Sequence, residues 1–228
     1  MNIFQRFLTG PLLAAAFMTI LPTGPAAAQG AAAANPSLHQ VTGFRSARFG
    51  MSLPQVKQAI AQDFKAGPAA LSEVDNPAEG TRVVLLRLDA LEPGPGPAIV
   101  SYIFNQSTQQ LRHVNVVWQS GPAPSEAERN RYAVAGVQLT RYFRELGWKP
   151  EGSVAAVANG PGSILLFAGI DPKDAMVEVV ASGIPLSAGP NGQPAAAPSG
   201  PAQLRVSYAS TVPARAAIPA AAVKPGAF

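Results

Sequence analysis

Two arginines beside a predicted helix start, Arg45 and Arg48, are the residues whose type and spacing most favour binding chemistry. The first N–H groups of a helix lack helical partners and attract anions, and two guanidinium groups could help to hold a phosphate or a carboxylate. The sequence therefore predicts an anion-binding site at Arg45 and Arg48. The alternative is a pair of solvated arginines at a structural corner, since Ser52 and Gln55 can already satisfy the donors of this helix start.

Residue types that bind metals are few and widely separated. The chain has no cysteine, and its two histidines are His39, in an Ala-rich linker, and His113, in a predicted strand. Asp171 and Asp174 could share a calcium ion, but Asp-Pro-Lys-Asp is also typical of a type I turn, and calcium loops normally supply more oxygen ligands. We expect a turn there, no metal site and no cofactor.

No pattern of residues predicts catalysis. Ser163 precedes a predicted strand and lacks the G-x-S-x-G elbow of a hydrolase nucleophile. The Gly-Pro loops lack the G-K-[ST] sequence of a phosphate-binding loop, and proline supplies no N–H to an anion. The sequence favours a protein that is not an enzyme, with a hydrolase of unfamiliar type as a further alternative.

The first 28 residues have the features of a secretory signal peptide. Arg6 precedes an apolar run over residues 7–21, and small residues follow at 24–28. The run is shorter than the roughly 20 residues of a membrane span, so we expect cleavage and no integral span, with a retained anchor as the alternative. A cysteine-free exported chain, which also lacks a lipidation cysteine, is expected in the bacterial periplasm or outside the cell.

The charge pattern argues against a nucleic-acid partner. The formal net charge is +4 at pH 7, falling to +3 without the signal peptide, and the Lys and Arg residues form no run. Nucleic-acid binding needs a clustered basic surface. We expect no nucleic acid among the partners.

Capping patterns predict two helices. Ser52 with Gln55, and Ser125 with Glu128, are capping boxes. Each precedes an apolar stripe with helical spacing. The stripes are Leu53, Val56, Ile60 and Phe64 in the first helix, and Tyr132, Ala135, Leu139, Phe143 and Leu146 in the second.

Three apolar, alternating segments follow each helix and predict strands. The predicted fold is α+β, in the order α-βββ-α-βββ, within a single globular domain. The predicted organisation is a signal peptide at 1–28, a linker at 29–41, a domain at 42–209 with halves 42–119 and 120–209 and an irregular Pro/Gly loop at 183–201, and a disordered Ala/Pro tail at 210–228.

The run Gly50-Met51-Ser52-Leu53-Pro54-Gln55-Val56 resembles the helix start of SmpA/BamE-like small envelope proteins. The element order is similar to the tandem helix-plus-sheet architecture of β-lactamase-inhibitor-like proteins. The resemblance implies a scaffold that works by protein contact. We therefore expect a non-enzymatic cell-envelope protein that binds another envelope protein or component. The alternative is a small-ligand or lipid carrier with an apolar pocket between helix and sheet.

Overall fold

The computed structural model describes residues 38–149, 151–185 and 197–212. The predicted signal peptide at 1–28, most of the predicted linker and Ala/Pro tail, and the middle of the predicted Pro/Gly loop lie outside the described residues. In the described part the chain forms two α-helices and ten β-strands. In chain order they are β1 Gly43–Phe44, β2 Ala47–Arg48, α1 Leu53–Phe64, β3 Leu71–Asn76, β4 Thr81–Leu88, β5 Ala98–Asn105, β6 Leu111–Gln119, α2 Glu126–Glu145, β7 Ser153–Ala158, β8 Ser163–Ile170, β9 Met176–Ser182 and β10 Gln203–Ala209.

Eight of these strands form one antiparallel sheet, in the order β3-β4-β5-β6-β10-β9-β8-β7. β1 and β2 form a separate two-stranded hairpin. The predicted α-βββ-α-βββ fold with two three-stranded halves is therefore wrong, because the described chain is richer in strand. Each helix precedes a meander of four strands, and β6 and β10 join the two meanders in one sheet.

The two strands that the prediction lacked are the outermost ones, β3 and β7. Their sequences are Leu-Ser-Glu-Val-Asp-Asn and Ser-Val-Ala-Ala-Val-Ala, and most of their residues are exposed. An edge strand packs against only one neighbour and needs little apolar alternation. The periodicity that reveals an inner strand is therefore weak in both segments.

Both helices begin at the predicted N-cap residues, Ser52 and Ser125. The side-chain oxygen of Gln55 accepts from the Ser52 N–H at 2.8 Å, and the Ser125 hydroxyl accepts from the Glu128 N–H at 3.2 Å. These local bonds satisfy backbone and side-chain donors that would otherwise need water. In the described part of the chain, no helix is long and apolar enough to cross a membrane.

The helices pack on the same face of the large sheet, which we call the covered face. Val56 and Ile60 of α1, and Leu139 and Phe143 of α2, are buried in one apolar cluster with residues of six strands of the large sheet. The rings of Phe143 and Phe167 stack with centroids 5.9 Å apart. The covered face carries three cross-strand rows, whose central members are Val84, Tyr102, Val114, Tyr208 and Val177; Leu86, Val100, Val116, Val206 and Val179; and Ala98, Trp118, Leu204 and Ala181.

Candidate functional site

The two arginines predicted to bind an anion lie together on the β1–β2 hairpin. Arg45 and Arg48 line one cavity of about 280 Å³ together with residues that include His39, Tyr142 and Tyr208. This cavity lies between the hairpin, the segment before it and α2, rather than at the first turn of α1. The structure thus brings the two side chains together, and anion binding by them stays a prediction.

Contacts within the protein already use part of both arginine side chains. The Arg48 guanidinium donates from Nη1 to the Arg45 carbonyl oxygen at 2.6 Å. The Arg45 guanidinium carbon lies 4.7 Å from the centroid of the Phe64 ring and 5.8 Å from that of Phe44. Cation–π contacts of this kind stabilise an exposed position by about 0.5–1 kcal/mol. Holding the hairpin on α1 is therefore a structural role of Arg45.

Asp63, near the end of α1, holds the turn of the same hairpin. Its carboxylate accepts from the Ser46 N–H at 2.9 Å and from the Ser46 hydroxyl at 2.6 Å. Tyr102 lies beneath this region, and its buried hydroxyl has no hydrogen-bond partner among the residues described. Burial, and then the negative charge of Asp63, raise the pKa of Tyr102 above its usual range. Its hydroxyl therefore stays protonated at neutral pH.

Asp171 ties the segment before the hairpin to the second half of the chain. Its side chain accepts from Lys173 N–H at 2.7 Å and Ala175 N–H at 2.9 Å, within the predicted turn. It also accepts from the Val41 N–H at 2.9 Å, across 130 residues of sequence. Asp171 is only 1% exposed. Its role as an acceptor of three backbone bonds therefore explains its burial without a metal ion.

The other face of the large sheet, which we call the uncovered face, is the surface that sequence reasoning missed. Its apolar residues lie opposite one another across the strands, as in Ile99–Val117 and Val83–Ile103. An antiparallel sheet usually alternates apolar residues toward the core with polar residues toward water. Here β5 and β6 carry apolar residues on both faces, and this double pattern was a signal available in the sequence.

A row of polar side chains crosses the middle of the uncovered face. Ser101 and Asn115 are directly opposite each other, followed by Ser207 on β10 and Glu178 on β9. Apolar rows border it on both sides. The row on one side contains Val83, Ile103, His113, Met176 and Ile170, and the row on the other contains Ile99, Val117, Arg205, Val180 and Leu165. His113 and Arg205 are polar members of these rows, and Met176 is only 1% exposed.

Two ionisable groups of the uncovered face are poorly hydrated. Burial raises the pKa of Glu178, and the positive charge of Arg205 partly offsets this effect. Burial also lowers the pKa of His113, with a smaller contribution from Arg112. Both shifts favour the neutral form of a side chain surrounded by apolar neighbours. The carboxyl group of Glu178, in the polar row, therefore holds its proton more tightly than a fully exposed carboxyl group does.

A groove on the other side of the sheet runs between α2 and the β7–β8 hairpin. It has a volume of about 370 Å³, and its walls include Val137, Thr140 and Arg144 of α2 and Ala155 and Leu166 of the sheet. Val137 is 65% exposed. This groove is the described feature that best matches the expected apolar pocket between helix and sheet.

The described residues contain no cluster of side chains that could serve as metal ligands. No group of three or more His, Asp or Glu side chains is arranged there to hold a metal ion. Ser163 begins strand β8 after a turn, and its backbone N–H bonds to the Gly160 carbonyl oxygen at 3.2 Å. Comparisons with protein-family models, with curated proteins and with solved structures find no match.

Proposed function

We propose that this chain is an exported, non-enzymatic cell-envelope protein that binds another protein through the uncovered face of its sheet. The observation that carries the proposal is the composition of that face, in which two mainly apolar rows, interrupted by His113 and Arg205, border one polar row. A contiguous apolar surface with a few precisely placed polar groups is typical of protein interfaces. Export rests on the signal-peptide pattern of residues 1–28.

The geometry of the face supports a protein partner over a small molecule. Its rows extend across six strands, and five spacings of about 4.8 Å between neighbouring strands give a width of roughly 24 Å. Small-molecule sites are concave and enclose most of their ligand. A broad sheet face with half-buried Ile and Val side chains instead matches the extended contact area of a folded partner.

The test is capture of binding partners from an envelope extract with matched variants of the whole chain. Val117→Glu places a charge in the middle of the face, opposite Arg205, so that the variant can still fold. Val134→Glu introduces the same charge on α2, where Val134 is 56% exposed. We expect a partner that the wild type and Val134→Glu capture and Val117→Glu loses, together with slower amide exchange in β6 and β10 of the complex.

Equal capture by Val117→Glu, or protection confined to other elements, would assign binding to another surface. A circular-dichroism spectrum and melting temperature close to wild type are required of each variant. These controls separate loss of the interface from loss of the fold.

The groove between α2 and β7–β8 supports a second candidate, a carrier of a small apolar ligand. Its volume of about 370 Å³ lies within the range of roughly 300–1,000 Å³ of ligand pockets. Native mass spectrometry of the protein purified from its host would show a bound lipid or metabolite. Loss of that species in Val137→Glu, with retention in Val134→Glu, would favour the carrier over the protein-binding function.

A further inference from the structure

Strand β7 forms one edge of the described sheet and pairs only with β8. It spans Ser153–Ala158 and has no ionisable side chain, and four of its six residues are exposed. The outward backbone N–H and C=O groups of an edge strand can pair with a strand from another chain. This edge therefore offers backbone hydrogen bonds to any extended segment that can approach it.

The opposite edge of the described sheet, β3, carries charged side chains. Glu73 forms an ion pair with Lys57, and Asp75 forms one with Arg82 at 2.7 Å. Charged side chains on an edge strand hinder pairing with other strands. β7 carries no such charge, so the two edges of the same sheet differ in their openness to strand addition.

The groove beside β7 supplies room for side chains of an added strand. Both Ala155 and Ala156 line it, because Ala156 has a φ of 58°, outside the β region, and this interrupts the alternation of the strand without changing its register with β8. Small residues at these two positions leave space between the strand and Val137 of α2.

Charge at the rim of the groove indicates which segment fits. Arg141 and Arg144 line the groove, and the single acidic residue among its described lining residues is Glu145, which pairs with Arg141 at 3.0 Å. The excess positive charge favours acidic side chains in the occupant. A second copy of the chain, paired antiparallel at β7, would bring its own Arg141 and Arg144 toward the same region, so like charges disfavour that occupant.

We infer that β7 accepts an extended segment of another protein as an additional antiparallel strand, in which one face carries apolar side chains that enter the groove and an acidic side chain that lies near Arg144. The segment would match the six residues of β7. Backbone hydrogen bonds to β7 supply affinity, and the groove supplies specificity. This surface is separate from the uncovered face, and the two can be tested independently.

The experiment uses three synthetic peptides titrated against the whole chain by fluorescence anisotropy. The first is acetyl-Thr-Val-Thr-Val-Thr-Glu-Thr-amide carrying a fluorophore, in which the Val and Glu side chains lie on the same face of an extended strand. The second has Lys in place of Glu, and the third is the first with N-methyl groups on alternate amides. We expect binding of the acidic peptide, binding at least about tenfold weaker for the basic one, and none for the N-methylated one, because strand addition needs the free N–H groups.

Two protein variants locate the site. Val137→Glu should weaken binding of the acidic peptide at least about tenfold. The substitution removes an apolar contact that the peptide would bury on binding, and it adds a negative charge that repels the peptide's Glu side chain. Val134→Glu, on the same helix and outside the groove, should leave binding within about twofold. Nuclear magnetic resonance should show slower amide exchange in β7 on peptide binding.

Three outcomes would overturn the inference. They are a Kd weaker than about 1 mM for the acidic peptide, equal binding of the N-methylated peptide, and a concentration-dependent dimer that Val137→Glu dissociates. The second would indicate a side-chain pocket without strand addition, and the third a second copy on the β7 edge. None of them affects the test of the uncovered face with Val117→Glu.

Discussion

Replacing Asp171 is expected to destabilise the protein strongly, because its carboxylate is buried and accepts three backbone N–H groups. Of these bonds, those from Val41 and Ala175 are buried, and that from Lys173 is partly buried. A buried donor that loses its acceptor costs about 1–3 kcal/mol. Two such donors lead us to expect that Asp171→Ala lowers the free energy of unfolding by about 3–5 kcal/mol, near the upper end for a single substitution.

The Asp171→Asn variant separates the contribution of the turn bonds to stability from that of the long-range bond to Val41. The amide oxygen can keep the bonds from Lys173 and Ala175, while the NH₂ group would face the Val41 N–H. We expect a loss of about 1–3 kcal/mol, from one unsatisfied buried donor. Hydrogen exchange should become faster at the Val41 amide and stay slow at that of Ala175.

Urea denaturation followed by tryptophan fluorescence measures these differences, and Asp174→Asn is the matched control. Asp174 is an exposed member of the same turn and pairs with Lys149 at 3.0 Å. Its φ of 63° is tolerated by Asn, and an exposed ion pair contributes about 0–1 kcal/mol. A loss below about 1 kcal/mol for Asp171→Ala, or an equal loss for Asp174→Asn, would refute the buried-acceptor reasoning.

The remaining predictions concern packing, pH and the arginine pair. Gly169→Ala should lower the free energy of unfolding by about 1–3 kcal/mol, since the new Cβ would lie 2.7 Å from the Trp148 ring. Urea denaturation should show a much smaller change for Gly121→Ala, where the space is open. Burial lowers the pKa of His39 in the folded state, so the unfolded state binds a proton more readily. The free energy of unfolding of the wild type should therefore fall as pH decreases through about 6.5. Thermal melts at several pH values should show a flatter pH dependence for His39→Gln. Arg48→Glu should abolish any rise of the melting temperature that phosphate causes in the wild type.

Each of these predictions has a contradicting result. An unchanged stability of Gly169→Ala would mean that the Trp148 ring moves aside without loss. An identical pH dependence of His39→Gln and wild type would assign the acid sensitivity to other groups. A phosphate-dependent shift of the melting temperature that Arg48→Glu retains would exclude the predicted site.

The helices were predictable because their signals are local. Ser52 and Ser125 cap through residues three positions away, so the bonding groups are adjacent in sequence. The turn at Asp171 was predictable for the same reason, since two of its acceptor bonds are to residues within four positions. The inner strands were recognisable from apolar alternation, whereas β3 and β7, on the sheet edges, lacked that pattern.

The sequence by itself determined where the chain turns, caps its helices and alternates apolar residues, because those signals act over a few positions. Only the tertiary structure decided that β6 and β10 join the meanders, which face the helices cover, and which edge stays uncharged. Partners such as Trp118 and Leu204, or Val41 and Asp171, are 86 and 130 residues apart. Their pairing depends on burial that many segments achieve together, so no local pattern specifies it.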